Sequence, residues 1–117
     1  MTELTQFKCI PCQGGVPTLT DDEIGKLMPQ VPGWKVVEIE GIKHLKREFT
    51  FHDFVEAMGF AVKVGLIAES EQHHPDLHVA WGKVGVEIWT HKIKGLHQND
   101  FVLAAKIDEM SAKGARA

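Results

Sequence analysis

The sequence predicts an α+β fold, in which a four-stranded antiparallel sheet has helices packed on one face in the order α-β-β-α-β-β-α. Two observations lead to this prediction. Apolar and polar residues alternate in residues 77–89, and they alternate imperfectly in residues 34–51, as in half-buried strands. Between these segments, residues 51–70 carry apolar side chains at helical spacing. Two hairpins and the helices beside them therefore form one layered domain.

The first helix is predicted to begin at a capping box. Thr20 is the N-cap, and Glu23 three residues later can reach back to the backbone N–H of Thr20. The acidic first turn suits the positive end of the helix dipole. Pro29 ends this helix. Two strands follow, in residues 34–40 and 42–51.

A second hairpin is predicted in residues 77–89, with Gly82-Lys83 as its two-residue turn. Pairing Trp81 with Val84 sets the apolar residues of the hairpin on one face, which is then the core face. These residues are Leu77, Val79, Trp81, Val84, Val86 and Ile88. The same register predicts three further cross-strand pairs: His78 with Glu87, Asp76 with Trp89 and, by extension, His74 with His91. The hairpin is therefore expected to bring two histidine-bearing segments together.

The long helix carries two apolar stripes. The first consists of Phe51, Phe54, Val55, Met58, Val62 and Leu66, and the second of Phe60, Val64 and Ile67. A helix that is apolar on two sides is expected to be buried on two sides. We expect the first stripe to cover the sheet and the second to contact another chain. The sequence therefore predicts a homodimer or homotetramer that Phe60→Asp would break.

The remaining segments are an N-terminal tail and a final helix. Residues 1–17 are expected to form the tail, and residues 18–117 the folded domain. The final helix is predicted over residues 97–110, with Asn99 or Asp100 as its cap.

Composition limits the partners of this chain. Its 117 residues suit one domain, and 44% of them are hydrophobic, which is enough to fill a core. The net charge of −3 gives no electrostatic case for nucleic acid or for an anionic membrane surface. No apolar run approaches the roughly 20 residues of a membrane span. The N-terminal residues show no pattern of charge followed by an apolar stretch, so we expect a cytoplasmic protein.

The tail contains a Cys-x-x-Cys motif made by Cys9 and Cys12. This motif resembles half of a zinc ribbon, but tetrahedral zinc needs four ligands and the second pair is missing. The favoured interpretation is a reduced segment without metal. No metal or organic cofactor is therefore predicted, and the two cysteines remain weak metal candidates.

The residues that carry chemistry lie between Glu69 and Asp100. This segment holds His73-His74-Pro75 at a helix boundary, because proline disfavours helical conformation in the residue before it. It also holds Thr90-His91. Histidine titrates near pH 6.5, so a cluster of three can supply both an acid and a base. The set is therefore suited to reactions that protonate one atom and deprotonate another.

Over about residues 19–108, these motifs and the segment Gly95-Leu96-x-x-x-Asp100 resemble those of the pterin-4a-carbinolamine dehydratases. The resemblance implies dehydration of 4a-hydroxytetrahydropterin to quinonoid dihydropterin, in pterin recycling beside aromatic amino-acid hydroxylases. It implies acid–base and pterin-binding roles for His73, His74 and His91. Family members form dimers through their sheets and tetramers through their long helices.

The resemblance also implies substrate-binding positions. Asp100 is expected to orient a histidine or to hold the pterin, and Glu69 matches an acidic position just before the site. Pro75, which directly follows His74, is also expected to be a substrate-binding position. Trp34 has two interpretations: it either packs in the core or stacks near the pterin.

Two other functions compete with this one. The first is a non-enzymatic interaction protein, because family members include a dimerisation cofactor of a homeodomain transcription factor. Others are linked to the assembly of enzymes. The second is a metal-binding protein that uses His74, His78 and His91. An interaction protein leaves the intact histidine set with Asp100 unexplained. The metal-binding alternative is weaker because Pro75 and Asp76 fix no known ligand spacing, and His78 and His91 need not converge. The other histidines, His44, His52 and His97, are interpreted as surface or hydrogen-bonded residues.

Overall fold

The computed structural model describes residues 3–7 and 16–114. Helices α1, α2 and α3 span Asp21–Leu27, Phe54–Glu71 and Gln98–Gly114, and strands β1 to β4 span Lys35–Ile39, Ile42–Thr50, Asp76–Ala80 and Lys83–Ile88. Short 3₁₀ turns occur at Leu4–Gln6, Met28–Gln30 and His91–Ile93. The strands form one antiparallel sheet in the order β1-β2-β4-β3, with the helices on one face. The predicted α+β fold is confirmed.

Two predictions concern the N-terminal part of the chain. Cys9 and Cys12 lie outside the described residues. Leu4, inside the predicted tail, is buried, and its backbone N–H donates to Gln30 Oε1 at 2.9 Å. Residues 4–6 pack against α3, so part of the predicted tail covers the domain. Across the described ranges, no helix is both long and apolar enough to cross a membrane.

The first half of the fold follows its local sequence signals. Glu23 N–H donates to Thr20 Oγ1 at 3.2 Å and Thr20 N–H donates to Glu23 Oε1 at 2.8 Å, which confirms the capping box. Between β1 and β2, Glu40 and Gly41 both have positive φ, at 53° and 80°. Two such residues form the tight turn that matches the twist of a hairpin.

The predicted register of the second hairpin is wrong by two residues. Its turn is Trp81-Gly82, and β3 pairs with β4 through Ala80 with Lys83, Val79 with Val84, His78 with Gly85, Leu77 with Val86 and Asp76 with Glu87. Gly82 takes the second turn position with φ of 74°, and its carbonyl accepts the backbone N–H of Phe51 at 2.7 Å. Trp81 therefore leaves the predicted core face and is 73% exposed.

A shift of two residues keeps each side chain on its face but changes its partner. His78 therefore lies opposite Gly85 instead of Glu87, and Asp76 lies opposite Glu87 instead of Trp89. The predicted pairing of His74 with His91 was extrapolated from the wrong register, so it is wrong as well.

The two stripes of the long helix are assigned the wrong way round. Phe60 and Val64 are buried and Ile67 is partly buried against the core. Buried alanines at positions 57, 61 and 68 lie on the same side and let α2 approach the sheet and α3. The exposed stripe consists of Phe54, Val55, Met58, Val62 and Leu66, with exposed fractions from 43% to 78%. Phe60→Asp would therefore disrupt the core and not an interface.

The helix-facing side of the sheet forms the core with α2 and α3. Its buried side chains are Leu45, Phe49, Val84, Val86 and Ile88, and residues 101–105 of α3 are all buried. The opposite side, which we term the open face, carries residues of the other parity: His44, Lys46, Glu48, Asp76, His78 and Glu87.

Trp34 lies in the core, with 2% of its surface exposed. Its Nε1–H donates to Asp108 Oδ1 at 2.8 Å, and Arg47 Nη1 donates to the same oxygen at 2.8 Å. Burial raises the pKa of the Asp108 carboxyl, while the Trp34 hydrogen bond and the Arg47 charge oppose that rise. The edge-to-face contact of Trp34 with Phe49 supports the core-packing interpretation.

Asp108→Ala should destabilise the protein by about 1–3 kcal/mol, because the indole N–H and the guanidinium lose a shared acceptor. Urea unfolding measures this change. Glu109→Ala, at the exposed neighbouring residue, is the matched control and should stay within about 0.5 kcal/mol of wild type. Equal free energies of unfolding for the two variants would contradict this account of Trp34.

Candidate active site

A buried carboxylate lies where three segments of the chain meet. Asp100 is 0% exposed. Its Oδ1 lies 2.5 Å from His73 Nε2, and its Oδ2 accepts from Thr90 Oγ1 at 2.9 Å and from the backbone N–H of His97 at 2.8 Å. A buried carboxylate needs such donors to compensate for the water that it loses. Both oxygens of Asp100 are therefore occupied by protein groups.

The start of α3 holds this carboxylate in place. Asp100 is the third residue of the helix, from which a carboxylate can reach back to the N-cap backbone. His97 acts as the cap, because its Nδ1 accepts the backbone N–H of Asn99 at 3.1 Å. The prediction of Asn99 or Asp100 as the cap is thus corrected. The negative charge also lies at the positive end of the helix dipole.

The end of α2 positions His73. Gln72 adopts the left-handed conformation with φ of 53°, and the backbone N–H of His73 donates to Ala68 O at 3.2 Å. Such a reversal ends a helix and changes the direction of the chain. Pro75 follows two residues later and prevents the helix from resuming. The His73 side chain, 14% exposed, therefore projects toward Asp100 from a fixed backbone.

A tight loop after β4 positions Thr90. The backbone N–H of Thr90 donates to Gly95 O at 2.9 Å, and the N–H of Gly95 donates to Thr90 O at 3.4 Å. Gly95 is required by close approach, since a Cβ there would lie 2.4 Å from Thr18 Cγ2. Thr90 is 3% exposed and has the parity of the core residues Val86 and Ile88. Its hydroxyl therefore points to the helix side, toward Asp100.

The other predicted site residues have separate partners. His74 is exposed, and its Nε2 lies 2.7 Å from Glu69 Oε1. His91 is also exposed, with its ring centroid 3.9 Å from that of Trp89. The structure thus joins His73 to Asp100 and His74 to Glu69, but it gives His91 an aromatic neighbour. The catalytic and binding roles of these residues stay predictions.

Sequence reasoning missed three supporting groups. Thr90 belongs to a sequence motif for which no role is predicted, although its parity indicates the core side. The ion pair between Lys106 Nζ and Glu71 Oε2, at 2.7 Å, joins α3 to the end of α2. On the open face, His44 Nδ1 lies 3.0 Å from Glu87 Oε1. Neither pair has a sequence signal, because each depends on how separate elements pack.

In the described residues, neither a cluster of metal ligands nor a groove indicates a different active site. In residues 3–7 and 16–114, no group of three or more histidine, cysteine or acidic side chains could hold a metal ion, so His74, His78 and His91 form no ligand set. A groove of about 860 Å³ lies at the other ends of α2 and α3, beside Lys63 and Met110. Because its Arg47 is already paired with Asp108, we place the candidate site at the buried carboxylate.

The sequence matches known proteins over most of its length. A family model described as "Pterin 4 alpha carbinolamine dehydratase" matches residues 17–110. The chain is 52% identical over 110 residues to a protein of Chlorobium luteolum that is provisionally named pterin-4-alpha-carbinolamine dehydratase. That match covers 94% of this chain and 96% of the relative. A protein of Methylococcus capsulatus with the same provisional name is 51% identical, with coverage of 94% and 95%.

Two solved structures have a similar fold. One is a transcriptional coactivator/pterin dehydratase from Brucella melitensis, with a TM-score of 0.71 and 31% identity. That match covers 80% of this chain and 97% of the other. The second is a pterin dehydratase-like protein identified as a RuBisCO assembly factor in the alpha-carboxysome, with a TM-score of 0.58. At 16% identity, covering 68% of this chain and 89% of the other, it shows the fold alone.

Thr90→Val should destabilise the protein by about 1–3 kcal/mol, because Asp100 then keeps its buried charge with one donor fewer. Chemical denaturation provides the measurement. Thr50→Val, at an exposed residue of β2, makes the same chemical change outside the site and serves as the control. If both variants unfold at the same denaturant concentration, the Thr90 hydroxyl does not support the carboxylate.

Proposed function

This chain belongs to the pterin 4 alpha carbinolamine dehydratase family, and we propose that it dehydrates 4a-hydroxytetrahydropterin to quinonoid dihydropterin by histidine acid–base catalysis. The observation that carries this proposal is the 2.5 Å contact between His73 and the fully buried Asp100. A histidine oriented by a buried carboxylate is a common arrangement for proton transfer.

The reaction needs two proton movements and no redox partner. The hydroxyl on carbon 4a accepts a proton and leaves as water, while a ring N–H of the pterin gives up a proton. One proton is taken up and one is released, so the enzyme returns to its starting state. Groups that exchange protons near neutral pH are sufficient for this balance, and imidazole is such a group.

His73 is assigned the role that depends on Asp100. With the Nε2–H directed at Asp100, Nδ1 becomes the ring nitrogen that accepts or donates the substrate proton. Asp100 then acts as a positioning residue, because both its oxygens are already occupied. His74 and His91 are assigned the second proton transfer. Glu69 orients His74 at 2.7 Å.

Two further predicted binding residues receive different assignments. Pro75 fixes the direction of the chain between His74 and β3. It therefore shapes the site but takes no part in proton transfer. Trp34 is assigned to core packing, since its indole is buried and its N–H is used by Asp108. A cytoplasmic location and a link to an aromatic amino-acid hydroxylase stay predictions from the sequence.

The exposed stripe of α2 supports a homodimer or homotetramer. Five large apolar side chains, Phe54, Val55, Met58, Val62 and Leu66, form one continuous exposed face. A contiguous apolar surface on a folded protein commonly marks an interface. A Cβ at Gly59 or Gly65 would have no neighbour within 4 Å, so the fold of one chain does not require these glycines. Close packing between the α2 helices of two copies would require small residues at these positions.

The same stripe supports the alternative of a non-enzymatic interaction protein. One structural relative is described as a transcriptional coactivator as well as a dehydratase. A partner of a different sequence could cover the α2 stripe instead of a second copy. The His73–Asp100 contact supports the enzyme over the scaffold, because a scaffold has no need of an imidazole oriented for proton transfer.

Single alanine variants of His73, His74 and His91 should lower kcat by about 10²–10⁴-fold where each group transfers a proton. Double variants should lose less than the product of the single losses, because one imidazole partly replaces another. Rates of carbinolamine dehydration with purified protein measure these effects. His52→Ala changes an exposed histidine next to the α2 N-cap and should leave kcat unaltered. Full activity in a folded triple variant would favour the scaffold.

Val62→Asp and Leu66→Asp should dissociate the assembly while the monomer stays folded, because both side chains are more than half exposed within one chain. Sedimentation velocity and circular dichroism together measure mass and folding. Phe60→Asp is the contrasting variant and should unfold the protein, since Phe60 packs on Phe49 and Phe51. A wild-type protein that stays monomeric at high concentration would rule out the interface between copies.

A further inference from the structure

Three aromatic rings form a continuous stack at the end of the sheet. The rings of His44 and Trp89 are nearly parallel, at 7°, with centroids 4.5 Å apart. The ring of His91 lies 3.9 Å from that of Trp89, at 37°. The pairing of Leu45 with Ile88, extended by one position, sets His44 opposite Trp89 on the open face. The indole therefore lies in contact with both imidazoles.

Glu87 anchors the far end of this stack. Its Oε1 lies 3.0 Å from His44 Nδ1, and Glu87 and Trp89 are two residues apart on the same face of the chain. His44 is only 7% exposed, although it lies on the side of the sheet away from the helices. The imidazole is thus held at its edge by the carboxylate and at its face by the indole.

Trp89 is held by its ring faces and not by its polar atom. Its Nε1–H is buried, and none of the residues that the structure describes accepts it. Leaving a buried donor unsatisfied costs stability. The position of the indole consequently depends on apolar packing against the core and on its contacts with His44 and His91.

We propose that His44 and Glu87 are positioning residues that hold Trp89 against His91 and so fix the orientation of the His91 ring. This proposal rests on the proton-transfer role assigned to His91 under the proposed function. His91 is exposed, and exposed side chains change rotamer freely on fast timescales. Small misplacements of a reacting group reduce the rate steeply. A ring held on one side by an indole has fewer unproductive orientations.

The interpretation of His44 as a hydrogen-bonded residue agrees with its contact with Glu87, and its ring contact with Trp89 gives it a further role. A surface histidine tolerates replacement by alanine. A histidine held at its edge by a carboxylate and at its face by an indole does not, because its loss frees the indole to move. The stack thereby extends the site from the strand end back to β2.

Kinetics on variants of the stack test the proposal. Trp89→Leu keeps an apolar side chain but removes the ring, and should lower kcat about 10-fold with KM changed less than about threefold. Trp89→Phe restores an aromatic face and should recover part of the loss. His44→Leu and Glu87→Gln should give intermediate decreases in kcat. His78→Gln changes an exposed histidine on the same face of the sheet and is the matched control, with kcat equal to wild type.

Nuclear magnetic resonance provides a readout that does not need activity. The ring current of Trp89 should displace the Hε1 resonance of His91 from its free-imidazole position. Trp89→Leu should abolish that displacement, and His44→Leu and Glu87→Gln should reduce it, while His78→Gln leaves it intact. Thermal unfolding of each variant identifies any that fail to fold, and Glu87→Gln, at a partly exposed carboxylate, then carries the test alone.

The outcomes separate the two proposals. A wild-type protein without dehydratase activity refutes the proposed function, and the His91 resonance then decides by itself whether the stack orients the ring. In an active protein, a kcat in the folded stack variants equal to wild type overturns the positioning role. A His91 resonance that is unchanged by loss of the Trp89 ring overturns it as well.

Discussion

The buried carboxylate of Asp100 is the interaction on which the rest of this structure depends. It receives hydrogen bonds from three segments that are separate in sequence: the turn after α2, the loop after β4 and the start of α3. A charge with no exposed surface is tolerated only when such donors replace water. The helices and the sheet must therefore dock correctly before the carboxylate is satisfied, so the contact that orients His73 is also one that specifies the fold.

The topology was predictable because it depends on signals that are local and repeated. Capping residues, hairpin turns and the alternation of apolar residues give the elements and their order. The hairpin register was not predictable, since a shift of two residues keeps each residue that stays paired on its predicted face. The choice depends on whether Gly82 takes the first or second turn position, which the contact of its carbonyl with Phe51 decides. That contact joins residues 31 positions apart.

The stripes of α2 were misassigned for a related reason. Counting large apolar side chains favours the stripe of Phe54 and Leu66, whereas close packing favours the side where small residues let the helix approach. Alanines at positions 57, 61 and 68 mark that side. Within the site, the His73–Asp100 contact agrees with one role that the resemblance implied for Asp100. The contribution of Thr90 could not be predicted, because it requires the distance between a strand end and a helix start.

Thr90 and His91 are adjacent after β4 but contact different groups. Thr90 is extended, and a 3₁₀ turn begins at His91. Thr90 contacts the buried carboxylate on the helix side, while His91 contacts the indole of Trp89. The two backbone hydrogen bonds between Thr90 and Gly95 close the loop that carries both residues. His73 and His91 therefore have different supports, the buried carboxylate of Asp100 for His73 and the aromatic stack for His91.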